Sequence, residues 1–346
     1  MKHQTTRYGE IPFYKIGTFG NTADAFISKK LFLEYKTKYS FPKKGNILIS
    51  ASGTIGRAVI YDGKPAYFQD SNIVWIDNDE TLVKNDFLFY AYSNVKWNTE
   101  HTTILRLYND NFRNTLIPLP PLNEQSAIAN ILSDLDRYLY ALDALILKKE
   151  GVKKALSFEL LSQRKRLKGF NQAWQKVRLG DIANYLTSNL SAEQITQQGK
   201  IKVYDVNNFI GYTDTTFISD KPYISIVKDG SVGRVRILPP KTNILSTMGA
   251  LIANHRTTTE FLFYLLSNFD FKNFTSGSII PHIYFKDYKE KTIFLPPLNE
   301  QSAIANILSD LDNEIASLKN KKRQFENIKK ALNHDLMSAK IRVLEK

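Results

Sequence analysis

Two glycine turns carry side chains whose types and spacing suit recognition of a polyanion. Arg57 follows Ser52-Gly-Thr-Ile-Gly56, while Lys228 and Arg234 flank Asp229-Gly-Ser-Val-Gly233, with Arg236 two residues further on. Glycine lets a backbone approach a phosphate closely, hydroxyls such as those of Thr54 and Ser231 can donate to it, and a basic side chain alongside can reach a groove. A second group comprises Arg106, Tyr108, Asn109 and Arg113, matched later in the chain by His282, Tyr284 and Lys286. Arg and Asn are the side chains suited to bidentate reading of base edges. Ser276 and Ser278 bracket Gly277 and offer phosphate contacts or simply a turn. Gly and Ser are also ordinary turn residues, so plain hairpin chemistry is the favoured reading of the first group. For the second group, a solvated polar loop competes on equal terms.

Chemistry of other kinds has little support. No Asn/Asp-Pro-Pro-aromatic methyl-transfer motif is present: Pro120-Pro121, Pro239-Pro240 and Pro296-Pro297 all lack the flanking residues. There is no Gly-x-x-x-x-Gly-Lys-Ser/Thr phosphate loop, which argues against an ATPase. His3, His101, His255, His282 and His334 are scattered without ligand spacing, so no metal site is expected. Zero cysteines exclude disulfides and thiolate ligands and suit a reducing cytoplasm. No apolar run nears the roughly 18 residues that span a membrane, and Met1-Lys-His-Gln-Thr-Thr-Arg lacks a signal-peptide core. The expectation is no catalytic residue, no cofactor, no metal and no membrane.

The elements that must position these residues are organised by an internal duplication. Leu119–Asp136 returns letter for letter at Leu295–Asp312, an offset of 176 residues. That period is far longer than a solenoid repeat, so two whole modules are present. Each repeated stretch opens with Leu-Pro-Pro-Leu, which is held extended by its prolines. Asn123 and Asn299 then sit where an N-cap belongs, with Glu124 and Glu300 in the first turn. Glu124, Gln125, Glu300 and Gln301 are read as helix-capping or subunit-docking residues. Apolar residues follow at steps of three and four: Ile128, Leu132, Leu135, Tyr138, Leu142, Leu145, Val152, Leu156 and Leu160 in one copy. In the other they are Ile304, Leu308, Leu311, Ile315, Leu318, Phe325, Ile328, Leu332 and Leu336, interrupted by Lys322. Such spacing describes a coiled-coil seam. Each helix of about 40 residues would be about 60 Å long, and the two would most simply pack on each other.

The globular parts share a scaffold with diverged sequence. Asn46–Ser50 with Arg57–Tyr61, and Tyr223–Val227 with Arg234–Leu238, read as hairpins around the glycine turns. Phe87–Ser93 and Phe261–Ser267 read as matching short helices, the second behind the capping pattern Thr257-Thr-Thr-Glu260. Gly9–Ile16 aligns with Gly199–Val206, leaving Phe170–Asn189 without a counterpart in the first module. The first module is therefore trimmed by a strand and a helical turn, and carries a longer loop around Lys29–Lys44. The segments are 1–118, 119–168, 169–294 and 295–346. A net charge of +13 points to a polyanionic partner, although the helix lysines taken singly read as a solvated face.

Together these features resemble the specificity subunit of type I restriction-modification systems, over nearly the whole chain. The carrying residues are Ile117–Gln125 and Phe294–Gln301, each closing a globular module and opening a long helix, with Ser52–Gly56 and Gly9–Ile16 in support. The resemblance implies an α+β chain with two mixed α/β target-recognition domains separated by two long helices forming an antiparallel coiled coil. Each domain would read one half of a bipartite double-stranded DNA site, and the helices would set the spacing. Methyltransferase (modification) subunits and restriction (translocase) subunits would be the partners and would supply catalysis. The trimmed first module departs from the family pattern and leaves its half-site open. Two rivals stand beside this reading: a free-standing DNA-binding regulator, and a non-functional coiled-coil adaptor.

Overall fold

The computed structural model describes residues 4–68, 72–97 and 106–344; His3, His101 and the last two residues of the 295–346 segment lie outside them. The chain divides into two compact units, residues 1–143 with 320–346, and residues 144–319. Each combines one globular part with portions of both long helices.

In the first unit, β1 (Ile11–Tyr14) pairs antiparallel with β2 (Phe26–Ile27) and parallel with β5 (Tyr67–Phe68). A second sheet sets β3 (Ile47–Ser50) between β4 (Ala58–Ile60) and β6 (Ile73–Ile76), all antiparallel. Ile47, Leu48 and Ile49 are all fully buried, because alternate side chains of a strand face opposite ways. Ile47 and Ile49 pack with Leu88 and Tyr92 of α2 (Asn85–Tyr92). Leu48 packs with Phe19, Tyr61 and Phe68. The segment around Lys29–Lys44, expected as a loop, contains the helix α1 (Lys29–Lys38). Ser28 caps it by accepting from the Leu31 N–H at 3.2 Å, and Phe32 is buried edge-on to Phe41. The four lysines of this helix masked its short apolar face. A one-turn helix, α3 (Asn109–Arg113), follows.

The second unit repeats this plan and extends it. The hairpin β9 (Ile201–Tyr204)–β10 (Phe209–Thr213) joins β13 (Thr242–Ile244), which lies parallel to β9 as β5 does to β1. The central sheet has the order β12 (Val235–Leu238), β11 (Tyr223–Val227), β14 (Met248–Ala253), β8 (Ala183–Thr187). Behind it lies α5 (Thr259–Ser267), capped by Thr258 through the Phe261 N–H. The remainder comprises β15 (Thr275–Ser276), β16 (His282–Ile283), α6 (Phe285–Tyr288) and β17 (Thr292–Leu295), the last paired with β7 (Gln175–Arg178). Among the described residues β7 and β8 have no counterpart in the first unit, so the difference is two strands rather than the one expected.

The long helices are α4 (Leu122–Leu161) and α7 (Leu298–Met337), and within each unit they run antiparallel. In the first unit Lys329 pairs with Asp136, and Lys322 with Asp143 at 2.7 Å. In the second, Lys153 pairs with Asp312, and Lys149 with Glu314 at 2.7 Å. Lys322, which breaks the apolar stripe, thus reaches across to the other helix. Ile128, Leu132, Leu142, Leu160, Ile304, Leu308, Ile315 and Leu336 are buried as the spacing predicts. Leu145, Val152 and Ile328 are exposed instead, and Ile146 takes the inward place in α4. Asn123 and Asn299 are not the N-caps: the Pro121 and Pro297 carbonyls accept the first helical bonds, from the Gln125 and Gln301 N–H at 2.9 Å each. That places the helix start two residues earlier, where proline's restricted φ is no obstacle.

Glu124, Gln125, Glu300 and Gln301 are all buried, which corrects their reading as capping or docking residues. Gln301 accepts from the Thr258 N–H at 3.0 Å and donates to the Arg256 and Pro296 carbonyls at 2.9 and 2.8 Å. Gln125 does the same with the Lys84 N–H and the Leu82 and Pro120 carbonyls. Glu300 accepts both nitrogens of an Arg166 fork, at 3.1 and 2.6 Å, and Glu124 accepts those of Arg342 at 3.2 and 2.6 Å. The Arg342 guanidinium holds the Glu124 carboxyl below its ordinary value. Replacing Gln301 by Ala leaves an N–H and two carbonyls without this partner. We expect about 2–3 kcal/mol of destabilisation of the second unit, read as a lower urea midpoint.

Candidate nucleic-acid interface

The two glycine turns are built alike. In the first unit the Gly56 N–H bonds to the Ser50 carbonyl at 3.0 Å, and in the second the Gly233 N–H bonds to the Val227 carbonyl at 2.9 Å. Gly53, Gly56, Gly230 and Gly233 all have positive φ, between +68° and +83°, the left-handed region open to glycine at little cost. Gly56 also lies against the Trp97 ring and Gly233 against Phe271, where an added Cβ would overlap the ring.

A strand-like segment from just before the long helix closes each turn. The Leu107 N–H bonds to the Ala51 carbonyl at 2.8 Å, and Arg106 bridges Ser52. In the second unit the Ile283 N–H bonds to the Lys228 carbonyl at 2.9 Å, and His282 bridges Asp229. The two groups of residues singled out in the sequence are therefore brought together in each unit. Arg106 takes the place of His282, Thr54 that of Ser231, Arg57 that of Arg234 and Tyr108 that of Tyr284. The frame is the same and the side chains on it differ.

In the first unit Arg57 donates through Nη1 to the Phe19 carbonyl at 2.9 Å. Thr54 accepts from the Ser50 hydroxyl through its own carbonyl, leaving its side chain on an exposed residue. Tyr108 and Asn109 open the α3 turn, with the Tyr108 N–H bonded to Asn111 Oδ1 at 2.7 Å. Arg113 sits at the far end of that turn, ion-paired with Asp110 at 3.6 Å and exposed; it stands apart from the glycine turn.

In the second unit Ser231 and Arg234 are exposed on the turn. Lys286 lies over the Tyr284 ring at 5.5 Å, and Tyr284 stacks at 6.5 Å on His282. Ser276 and Ser278 are exposed at the tip of the β15–β16 hairpin, where Ser276 reaches the His282 carbonyl at 3.5 Å. Arg236 is not part of the group. It donates to the Asn207 carbonyl at 2.9 Å and lies over Tyr204 at 5.3 Å, toward the β9–β10 hairpin.

Sequence reasoning missed Asp229, whose carboxylate meets His282 Nδ1 at 2.7 Å. It also missed Asn72, whose side-chain oxygen receives the Ser52 hydroxyl at 2.8 Å. Both partners lie 20 or more positions away in sequence, so no local pattern pointed to them. The exposed Ile279, at 93%, extends the hairpin tip with an apolar side chain beside Ser278. Several helix lysines counted toward the basic charge are paired across the helices instead, as described above. No group of three His, Asp or Glu side chains placed to hold a metal occurs among the described residues, and no helix there is long and apolar enough to cross a membrane.

The profile of the family described as "Type I restriction modification DNA specificity domain" matches residues 1–149 and again residues 171–327. The chain belongs to that family. The two matches fall on the two halves of the internal repeat, so each carries one glycine turn with its closing segment. A putative type I restriction enzyme specificity subunit of Haemophilus influenzae is 62% identical over 137 residues, 39% of this chain and 36% of that protein. A putative specificity subunit of the MjaX type I restriction enzyme of Methanocaldococcus jannaschii is 28% identical over 86% of this chain and 79% of its own length. Among solved structures, the S subunit of a type I system from M. genitalium shares the fold at a TM-score of 0.64 with 20% identity, covering 97% of this chain and 91% of its own. The fold class expected from the sequence, mixed α/β recognition domains with two long packed helices, is that of these structural relatives.

The turn geometry yields a paired prediction. Gly230→Ala meets open space and should cost only the left-handed backbone penalty of about 1–2 kcal/mol. Gly233→Ala should cost at least about 1 kcal/mol more, because its Cβ would lie 2.6 Å from Phe271. Urea unfolding of the two variants compares them directly.

Proposed function

We propose that this chain is the DNA-reading, non-catalytic subunit of a type I restriction-modification complex, and that each unit reads one half of a bipartite site. The observation that carries the reading is the repeated turn-and-strand frame with different side chains on it. One unit presents Thr54 and Arg106, and the other presents Ser231 and His282 with Asp229 behind it. One frame with two chemical faces is what two different half-sites require, since base edges are told apart by donor and acceptor pattern. Lys228, Arg234, Ser276 and Ser278 are assigned to phosphate contacts, and Arg106, Asn109, His282 and Tyr284 to base edges or stacking. Arg57, with Nη1 on the Phe19 carbonyl, serves mainly to hold its turn.

The paired helices hold the two readers at a fixed separation and dock the methyltransferase subunits, with restriction and translocase subunits completing the complex. A helix of about 40 residues is about 60 Å long, against about 34 Å for one turn of B-DNA. That length fits half-sites more than one turn apart. Family membership and the +13 net charge support a DNA partner.

Base-resolved methylation sequencing of host DNA, with and without the gene, is the test. Loss of one split motif, two defined parts around a fixed gap, is the expected result. Loss of a motif with a single defined half would mean that only one unit reads. If no motif depends on the gene, the reading fails and a free-standing regulator or an adaptor takes its place.

With the motif known, binding measured against salt separates the roles. Lys228→Ala should lower the slope of log K against log salt by about 1 and weaken all sequences alike. His282→Ala should leave the slope alone and cost about 1–3 kcal/mol on the cognate half-site only.

A further inference from the structure

The internal repeat allows one unit to serve as the reference for the other. In the second unit β17 is paired along its length with β7: Thr292 with Arg178, Ile293 with Val177, Phe294 with Lys176 and Leu295 with Gln175. The Leu179 N–H extends the ladder to the Lys291 carbonyl at 3.0 Å. Trp174, just before β7, donates its indole N–H to buried Glu300 at 3.0 Å. Val177 and Leu179 pack in the core cluster that holds Leu160, Leu265, Ile293 and Leu295.

The same place in the first unit has no such strand among the described residues. Leu116-Ile-Pro-Leu119 stands where β17 stands, leading into the identical Pro-Pro-Leu-Asn-Glu-Gln. Leu116 is 94% exposed, and Leu119 is 43% exposed where its counterpart Leu295 is 4%. Beside this segment runs a groove of about 720 Å³, with Ala91, Val95, Ile117 and Met337 on its apolar side and polar side chains such as Asn94 and Asp110 on the other. Among the described residues Glu124 Oε2 receives Arg342 Nη2 alone, whereas Glu300 Oε2 receives both Arg166 Nη2 and the Trp174 indole.

Proline at position 118 is compatible with pairing. Antiparallel ladders alternate hydrogen-bonded and non-bonded residue pairs. The Leu179–Lys291 bond fixes Ile293 and Leu295 as bonded positions, so Phe294, the counterpart of Pro118, is a non-bonded one whose N–H faces away from β7. A proline there costs no ladder bond. Ile117 and Leu119 occupy the bonded positions, and no hydrogen bond to their main chain occurs among the described residues.

We propose that the 116–119 edge and its groove bind an extended polypeptide strand in trans. The strand has the chemistry of β7: a Trp able to donate to Glu124, then Val and Leu at alternate positions filling the groove, with basic residues facing outward. Addition of a strand to an open edge gains main-chain hydrogen bonds, while alternate side chains select the sequence. This inference does not rest on the DNA-reading proposal.

The test uses the full chain and a fluorescein-labelled peptide of the sequence Asn171–Ile182, followed by anisotropy. Saturable one-to-one binding is expected, at least tenfold weaker when Trp174→Ala and Val177→Asp are both placed in the peptide. Leu119→Pro removes a bonded N–H from an exposed residue that already sits between prolines. It should abolish binding while leaving the circular dichroism spectrum and urea midpoint unchanged.

Absence of saturable binding would overturn the proposal. So would binding that Leu119→Pro leaves intact while hydrogen exchange speeds up at 292–295, since the peptide would then be displacing β7 in the second unit. A dimer in sedimentation velocity that the peptide does not dissociate would likewise overturn it, because a second copy would be the occupant.

Discussion

A buried carboxylate at the head of each long helix is the contact on which each unit depends. Glu300 is fully buried, and Arg166, which neutralises it, comes from just beyond the end of the other long helix. Glu124 and Arg342 make the same pair in the first unit. Removing the arginine leaves a buried carboxylate without its counter-charge and its forked hydrogen bonds. The neighbouring glutamine ties the same helix turn to backbone just ahead of the short helix α2 or α5. One helical turn thus joins three parts of the chain: its own globular module, its own helix, and the tail of the other helix.

Further along the helices the join is repeated by a second device. Tyr90 donates to Asp136 at 2.8 Å and Tyr264 to Asp312 at 2.9 Å, and each aspartate also meets a lysine from the opposite helix. Lys329 lies over the Tyr90 ring and Lys153 over the Tyr264 ring, at 5.5 and 5.8 Å. Burial first, and then the aspartate, raises both phenols above their ordinary value, so each remains a donor across the neutral range. With the helix faces and the buried turn fixed in this way, the glycine turns are free to differ. Loops held by a rigid frame can change side chains without changing the fold, which is the pattern seen between Arg106 and His282.

The two units are not equal. The second carries β7 and β8, which close the β17 edge and add a fourth strand to the central sheet. The first shows neither among the described residues, and its 116–119 segment keeps unpaired main chain beside a groove. Open edges with apolar side chains are places where another chain can add. Pro118 stands where the second unit has Phe294, at a position whose N–H faces away from the edge, so it leaves the ladder donors of this edge in place.

Much of the architecture was written in local pattern. The repeated 18-residue stretch established two modules, steps of three and four established two long helices, and alternating apolar runs around glycine established both hairpins. These signals depend on residues within a few positions of one another, and so they survive in one dimension. The helix α1 was lost because four lysines hid a face made by little more than Leu31, Phe32 and Tyr35. What joined the parts was not legible: Glu124 meets Arg342 across 218 positions and Asp229 meets His282 across 53. A charged residue on a helix has no local mark saying that it will be buried. Only the folded chain, by excluding water around Glu300 and Gln301 and setting a pre-helix segment against each glycine turn, decides which polar groups become structure and which remain free to read a ligand.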